Sequence, residues 1–359
     1  MAENKVRFAQ LSFWFGHAGG LCATAQRHPH AELVCVWDDD RERGMAAAER
    51  FEVEFVGELD EVLQREDIDA VGICSPTHLH AEHIVRAVEA GKHCAVEKPF
   101  TRTPAQAAEV IRAAEANGVQ VMPIYNLRFT PANEKMKEIV DSGTLGPIYQ
   151  VRRRHGHPLY GRFDYDPQRI VQDPAWPWVD SYGEGRRSLY HAGSHSAFWM
   201  LWMFGMPESV VALGATRVAG VPEEDNNVCV FRYDSGLLVT LHTSETETVA
   251  PLATEIYGFH GALVQVRGDG PSTTTDFGDP ATLMLYTEET GAWGPVPEIS
   301  RRFQPEGSSP SGRFFDALAA GEEMPISMYD GKRCMQILAA AERADAEQRQ
   351  VAIAEIDGR

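Results

Sequence analysis

The sequence has no apolar run approaching the ~20 residues needed to cross a bilayer, and its opening stretch, MAENKVRF, carries no apolar targeting core. A soluble protein is therefore expected. Its six cysteines show no C-x-x-C spacing, and a chain of this length needs no disulfides for stability. Four of them lie in or beside strongly apolar runs, as small buried thiols do in a reducing cytoplasm. Basic residues are in deficit: 33 Lys and Arg against 52 Asp and Glu give a formal charge of −19, which repels nucleic acid and anionic membranes. At 359 residues the chain is long enough for about two domains without covalent staples.

What is present alternates by period. Val6–Leu11, Glu32–Trp37, Ala70–Cys74 and His93–Val96 are short apolar runs that read as buried strands. Helical patterns lie around them at Leu21–Arg27, Arg41–Arg50, His80–Ala90 and Pro104–Asn117, the last capped by Thr103 and closed by Gly118. This predicts an α/β protein whose residues 1–125 form a parallel sheet with helices on both faces, with ligands at the carboxyl ends of the strands. Residues 126–359 read differently. One helix is followed by strands at Ile148–Arg154, Ser209–Arg217, Asn227–Tyr233, Leu237–Thr243, Thr254–Tyr257 and Ala262–Val266, the pattern of a large, mostly antiparallel sheet. Gly156–Arg187 reads as a long loop, and helices near Gly312–Ala320 and Gly331–Glu347 complete the pattern.

The first strand runs into SFWFGHAGG, where a dinucleotide-binding protein usually keeps glycines. If the strand ends at Leu11, the G-x-G-x-x-G positions fall on Ser12, Trp14 and His17, all substituted. Backbone amides do not depend on side chains, so the start of the first helix still suits a diphosphate, with Gly16 and His17 among the expected cofactor contacts. Asp38 closes the second strand and suits the hydroxyls of an adenosine ribose; with Asp39 and Asp40 beside it, NAD is favoured over NADP. Trp14 crowds the phosphate approach unless its indole turns away, and Phe13, Trp14 and Phe15 also suit a plain core role.

The run Ala95-Val96-Glu97-Lys98-Pro99 ends a buried strand in a lysine that desolvation would push toward the neutral amine, able to exchange a proton with a substrate hydroxyl. His191 and His195 are four apart, so a helix places both on one face. They suit acid–base work, a polar cleft, or, with His155 or His157, a metal; no hydrolase-type Glu follows, and no metal is expected. Arg152–Arg154 and Arg186–Arg187 suit an anionic substrate group or a solvated edge. Strand alternation lets at most two of the first three share a face. Trp176, Trp178, Tyr182 and Tyr190 suit stacking on a sugar ring or a subunit contact.

VEKP at Val96–Pro99, with AVEAGKH at Ala87–His93, ICSPTHLHAEH at Ile73–His83, AGSH at Ala192–His195 and PISMYDGKR at Pro325–Arg333, resembles the Gfo/Idh/MocA oxidoreductases, the glucose-fructose oxidoreductase and inositol dehydrogenase group. The resemblance implies an N-terminal Rossmann domain, a C-terminal α/β domain with an open sheet that often pairs subunits into homodimers or homotetramers, a nicotinamide cofactor, and sugar, sugar-acid or cyclitol substrates. It carries Lys98 and His195 over as catalytic residues. It implies cofactor contacts from Ser12, Phe13, Trp14, Gly16, His17, Asp38, Ser75, Pro76, Thr77, His80, Glu97 and Lys98. Substrate contacts are implied for Arg128, Arg154, His157, Tyr190, His191 and His195 as well as Lys98. The family's D-x-G-x-H-x-x-D segment departs here: His191 stands for the first acid and Phe198 for the second, so His195 lacks its usual carboxylate, and the proton relay is left to His191, as a third catalytic candidate, to Lys98, or to a group elsewhere.

The expected function is NAD-dependent hydride transfer at a carbinol carbon. Two alternatives stay open: a redox-assisted glycoside hydrolase that retains its NAD, and a non-catalytic nucleotide-binding sensor suggested by the missing glycines and acids.

Overall fold

The computed structural model describes residues 5–157, 187–217, 224–247, 252–266, 282–297 and 309–356. Trp176, Trp178, Tyr182, Arg186 and nearly all of the expected long loop lie outside the described residues.

The first half winds as strand and helix in alternation. β1 (Val6–Leu11), α1 (His17–Arg27), β2 (Ala31–Trp37), α2 (Arg41–Phe51), β3 (Glu54–Phe55), α3 (Leu59–Leu63), β4 (Ala70–Ile73), α4 (Thr77–Glu89), β5 (His93–Glu97), α5 (Pro104–Asn117) and β6 (Val121–Ile124) follow in order. The six strands pair in parallel in the order β3-β2-β1-β4-β5-β6. That order reverses direction between β1 and β4, and a crevice at such a switch point is where doubly wound sheets bind ligands. The apolar runs are buried on both faces, since helices cover both. Gly72 in β4 lets α1 and β1 close in: a Cβ there would stand 2.3 Å from Gln10 Oε1, 2.6 Å from Phe8 and 2.7 Å from Leu21.

Helix ends follow local chemistry. Thr103 accepts from Gln106 N at the start of α5, with Pro104 in its first turn, and Gly118 closes the helix in the left-handed conformation. Helix α1 starts at His17, four residues before its apolar pattern begins, because the turn after β1 is short.

A 3₁₀ turn at Asn126–Phe129 and α6 (Pro131–Asp141) lead into the second sheet. Its strands are β7 (Ile148–Gly156), β8 (Ser209–Ala215), β9 (Asn226–Arg232), β10 (Leu238–Ser244), β11 (Thr254–Gly258), β12 (Gly261–Gln265), β13 (Leu283–Thr287), β14 (Trp293–Pro295) and β15 (Val351–Ala352). They run in the order β14-β13-β12-β11-β7-β10-β9-β8-β15, antiparallel throughout except for the central β7–β10 pair. Helix α7 (Arg187–Phe204) lies on the inner face, and α8 (Pro310–Ala320) and α9 (Met328–Glu347) return toward the first sheet. Helix α9 packs against α7, α5 and β8, so one helix braces both layers. Tyr125 stacks on Phe198 at 4.2 Å, and Trp199 Nε1 donates to Asn133 Oδ1, fixing α7 against the end of the first sheet.

Strand β7 alternates as its sequence demands. Val151, Arg153 and His155 face inward, whereas Arg152 and Arg154 face outward. The outer face carries exposed apolar residues, with Val211 and Leu213 on β8, Val228 on β9 and Leu238 on β10.

Candidate active site

The carboxyl edge of the parallel sheet faces the inner surface of the second. β1 ends at Leu11, and Ser12 takes the left-handed conformation with φ +64°, the geometry a glycine would adopt there at less strain. Three loop amides are already taken. Phe13 N donates to Asp38 Oδ2 at 2.7 Å, Trp14 N to Ser12 Oγ at 3.2 Å, and Phe15 N to Cys74 O at 3.2 Å. Gln10 Nε2 braces the turn by donating to the carbonyls of Leu11 and Ser12. No side chain caps α1 among the described residues, which leaves exposed Gly16 and His17 at its head.

The three aromatic residues separate. Phe13 stacks on Phe51 at 6.1 Å, Trp14 lies under the Arg43 guanidinium at 5.5 Å, and buried Phe15 lies 6.0 Å from Lys98 Nζ. The Trp14 indole thus turns toward α2. Asp38 is enclosed, accepting from Phe13 N, Asp40 N and Arg43 Nε and Nη2. Burial pushes its pKa up against the pull of Arg43.

A cleft of about 320 Å³ opens beside the head of α1, lined by Gly16, His17, Cys74, Glu97, Asn126 and Ser309. His17 Nδ1 pairs with Glu97 Oε2 at 3.0 Å. Glu97 raises the pKa of His17, and His17 in turn helps hold Glu97 low against the burial that opposes it. The other oxygen of Glu97, Oε1, is buried without a hydrogen-bond partner among the described residues, as is Thr77 Oγ1 at the head of α4. Neighbouring groups are struts. His80 sits with Nδ1 3.0 Å from Pro99 O and Nε2 2.9 Å from Ser75 O, and His83 Nδ1 meets Ser75 Oγ at 3.0 Å. His80 therefore ties two loops together, with both ring nitrogens engaged by backbone rather than presented to a ligand.

Lys98 directly follows the last residue of β5 and precedes a cis bond to Pro99, and its side chain is buried. Its Nζ lies 3.4 Å from the carbonyl of His191. Burial pulls its pKa below the ordinary lysine value, while Glu97 and Glu245 oppose that shift. Across from it stand four imidazoles from two elements: His155 and His157 at the end of β7, His191 and His195 on α7. Their rings form a file, His191 to His157 at 4.7 Å, His157 to His155 at 5.2 Å and His155 to His195 at 5.1 Å. Burial holds His157 and His195 well below the ordinary histidine pKa, with Lys98 and the other imidazoles adding to it. Among the described residues no group of three or more His, Cys, Asp or Glu is arranged to hold a metal ion.

The head of α7 is pinned by polar contacts to the sheet. Glu224 Oε1 accepts from Leu189 N at 3.0 Å and from Asn227 Nδ2, and Ser188 Oγ meets Thr243 Oγ1 at 3.2 Å. One acid of the site carries no signal in the sequence. Glu245, immediately after β10 and enclosed, places Oε1 2.8 Å from His191 Nδ1. A single acid after an apolar strand gives no periodic signal, and only the β7–β10 pairing brings it to α7.

Three expected substrate contacts are drawn elsewhere. Arg128 donates to the Pro325 carbonyl and lies over Phe129 and Trp202. Arg154 belongs to the outer face, in register with His242 and beside Glu247 at 3.5 Å. Tyr190 donates its hydroxyl to Glu342 Oε2 at 2.8 Å. Arg153, inward and buried, stacks over Trp199 and donates to Thr254 Oγ1, a structural arginine.

Comparison with known proteins decides the lineage. Residues 16–125 match the oxidoreductase family model with an NAD-binding Rossmann fold, and residues 133–264 match the GFO/IDH/MocA C-terminal domain, together more than half of the chain. The chain belongs to the Gfo/Idh/MocA family. It is 26% identical over 325 residues to an uncharacterized oxidoreductase, YrbE of Bacillus subtilis, covering 89% of this chain and 88% of that one. It is 26% identical over 322 residues to the scyllo-inositol 2-dehydrogenase (NADP(+)) IolW of the same organism, covering 84% and 83%. The WlbA dehydrogenase of Bordetella pertussis, solved with NADH and UDP-GlcNAcA, superimposes with a TM-score of 0.80 at 19% identity over 98% of both chains, a likeness of fold. This Gfo/Idh/MocA protein is an oxidoreductase with an NAD-binding Rossmann domain. Among its described residues no helix is long and apolar enough to cross a membrane.

Proposed function

We propose that this protein oxidises or reduces a carbinol carbon of a sugar, sugar acid, cyclitol or related polyol with NAD as hydride carrier. The observation that carries this reading is Lys98: a buried amine with a lowered pKa at the carboxyl edge of the parallel sheet, between the cleft at the head of α1 and a file of four imidazoles, of which burial holds His157 and His195 toward the neutral form.

The residues fit a nicotinamide dinucleotide. The amides of Gly16 and His17 would hold the diphosphate at an uncapped helix start, with His17 adding charge when protonated. Glu97 Oε1, buried and unpartnered, would accept from a ribose hydroxyl. Ser75, Pro76 and Thr77 would form the rim, and Asp38 with Arg43 the adenosine end. The carboxylates Asp38, Asp39 and Asp40 favour NAD over a 2′-phosphate. When bound, the nicotinamide supplies the hydride acceptor.

This chain's residues supply the proton chemistry. As the carbinol hydrogen leaves with the C–H bonding pair, the hydroxyl proton would pass to the neutral amine of Lys98, with His195 beside it able to take the proton onward, and the O–H electron pair forms the C=O bond. Reduction runs the same steps in reverse. Burial excludes water and alignment lowers the barrier. His157 and His191 would contact further hydroxyls or a carboxylate of the ring. The relative named as a scyllo-inositol 2-dehydrogenase supports a ring polyol as substrate class, and the structural neighbour solved with UDP-GlcNAcA is compatible with a sugar acid.

Residues 1–125 and 126–359 are proposed as the dinucleotide and substrate domains, and the exposed apolar outer face of the second sheet as a homo-oligomer interface. The test is incubation with NAD⁺ and a panel of cyclitols, aldoses and uronates. Stoichiometric reduced nicotinamide with one class supports the reading; aglycone release from a glycoside without net reduction would replace it with redox-assisted hydrolysis.

A further inference from the structure

The helix that carries His191 and His195 has lost both acids of its family pattern, yet the pocket contains a carboxylate from another element. Glu245 is enclosed, its backbone N–H donates to Asp225 O at 2.8 Å, and its Oε1 stands 2.8 Å from His191 Nδ1. We propose that Glu245 is the positioning residue of the proton-transfer site, holding His191 in the tautomer with hydrogen on Nδ1 and its ring fixed beside His157.

An ionised carboxylate only accepts hydrogen bonds, so the nitrogen facing it must carry the hydrogen, and the other nitrogen, Nε2, keeps its lone pair when the ring is neutral. His157 lies next in the file at 4.7 Å, followed by His155 and His195. The charge of Glu245 reaches beyond its own contact: it raises the pKa of both Lys98 and His157 against the burial that lowers them. Among the described residues, the titratable groups around this pair are Lys98 just after β5, His155 on β7 and His157 just after it, and His195 on α7.

Stability does not account for the placement. Taking a carboxylate out of water costs several kcal/mol, which a buried pair recovers only in part, whereas an apolar side chain would fill the same space without that cost. A carboxylate oriented on an imidazole is a recurring way to raise its basicity and fix its ring.

This inference rests on the oxidoreductase reading, and the experiment separates the two. Glu245→Gln retains an oxygen to accept from Nδ1–H but removes the charge. The expected result is a kcat for polyol oxidation lowered about 10- to 100-fold, with NAD⁺ affinity and melting temperature close to wild type. The acid limb of the pH profile should move to lower pH, because the lost charge no longer raises the pKa of Lys98. Nitrogen-15 NMR of histidine-labelled wild-type protein should show His191 as the Nδ1–H tautomer, assigned with a His191→Asn variant. Unchanged kcat and pH limb in folded Glu245→Gln, or an Nε2–H tautomer at His191, overturns the proposal. Should the variant not fold, the wild-type tautomer alone decides it. Should wild type fail to bind NAD⁺, the redox reading falls while the tautomer still decides the placement of Glu245.

Discussion

Arg43 closes on Asp38 with two guanidinium nitrogens, Nε at 2.9 Å from Oδ2 and Nη2 at 2.5 Å from Oδ1. With the amides of Phe13 and Asp40 as the other donors, all of the roughly four lone-pair sites of that carboxylate are filled. An adenosine ribose can use Asp38 only where Arg43 yields. Replacing Arg43 with Met leaves an enclosed carboxylate short of donors that ribose hydroxyls can supply. We expect Arg43→Met to lower the melting temperature, and saturating NAD⁺ to raise it by more degrees in the variant than in wild type. Equal shifts in a thermal denaturation series would show that the ribose does not meet Asp38.

Affinity for NAD⁺ should fall as pH rises through the titration of His17. Glu97 raises the pKa of this histidine, so the imidazolium persists above the ordinary histidine range and its positive charge faces the proposed diphosphate site. Deprotonation removes one favourable charge, worth about 1 kcal/mol for unit charges roughly 4 Å apart in water-like surroundings, or close to fivefold in affinity. Calorimetric titrations across pH 6 to 9 should show this decline in wild type and a flatter profile in His17→Gln. A profile that is identical in the two proteins would remove His17 from the cofactor site.

Gly72→Ala tests the closure of α1 and β1 on β4. The new methyl would meet Gln10 Oε1, Phe8 and Leu21 at less than 3 Å, and Gln10 cannot withdraw without releasing the turn at Ser12. Overpacking of this kind costs about 1–3 kcal/mol. Urea denaturation should show a lowered midpoint with an unchanged slope, and NAD⁺ affinity should fall with it.

Leu213 and Val228 are directly paired across β8 and β9 and exposed on the outer face of the second sheet. Leu213→Asp should shift the sedimentation coefficient from an oligomer toward a monomer with the fold retained. A monomeric wild type would assign that face no role in assembly.

Much of this architecture is legible in the sequence because it is periodic. Buried strands at β1, β2, β4 and β5 and the capped helix α5 announce themselves as apolar runs and turn chemistry, and the Lys98 motif stands at a strand end. β3, with two residues, and α3, with five, are too short for any period to register. The site is less legible because its polar groups meet through pairing across distant strands. Strand alternation allowed two of Arg152, Arg153 and Arg154 to share a face, and the pleat sent Arg152 and Arg154 outward. Glu245 and Arg43 carry no motif. Their importance appears only when β10 lies beside β7 and α2 turns back over the end of β2.

The most direct test is a single-turnover comparison of wild type and Lys98→Met loaded with NAD⁺ and the substrate found in the panel, read as reduced nicotinamide. The variant should bind NAD⁺ as wild type does and form reduced nicotinamide about 10²–10⁴-fold more slowly. In wild type the rate of oxidation should rise with pH along a limb that lies below the ordinary lysine value, since burial favours the neutral amine. A Lys98→Met variant that transfers hydride at the wild-type rate, with the same pH limb, would contradict the account.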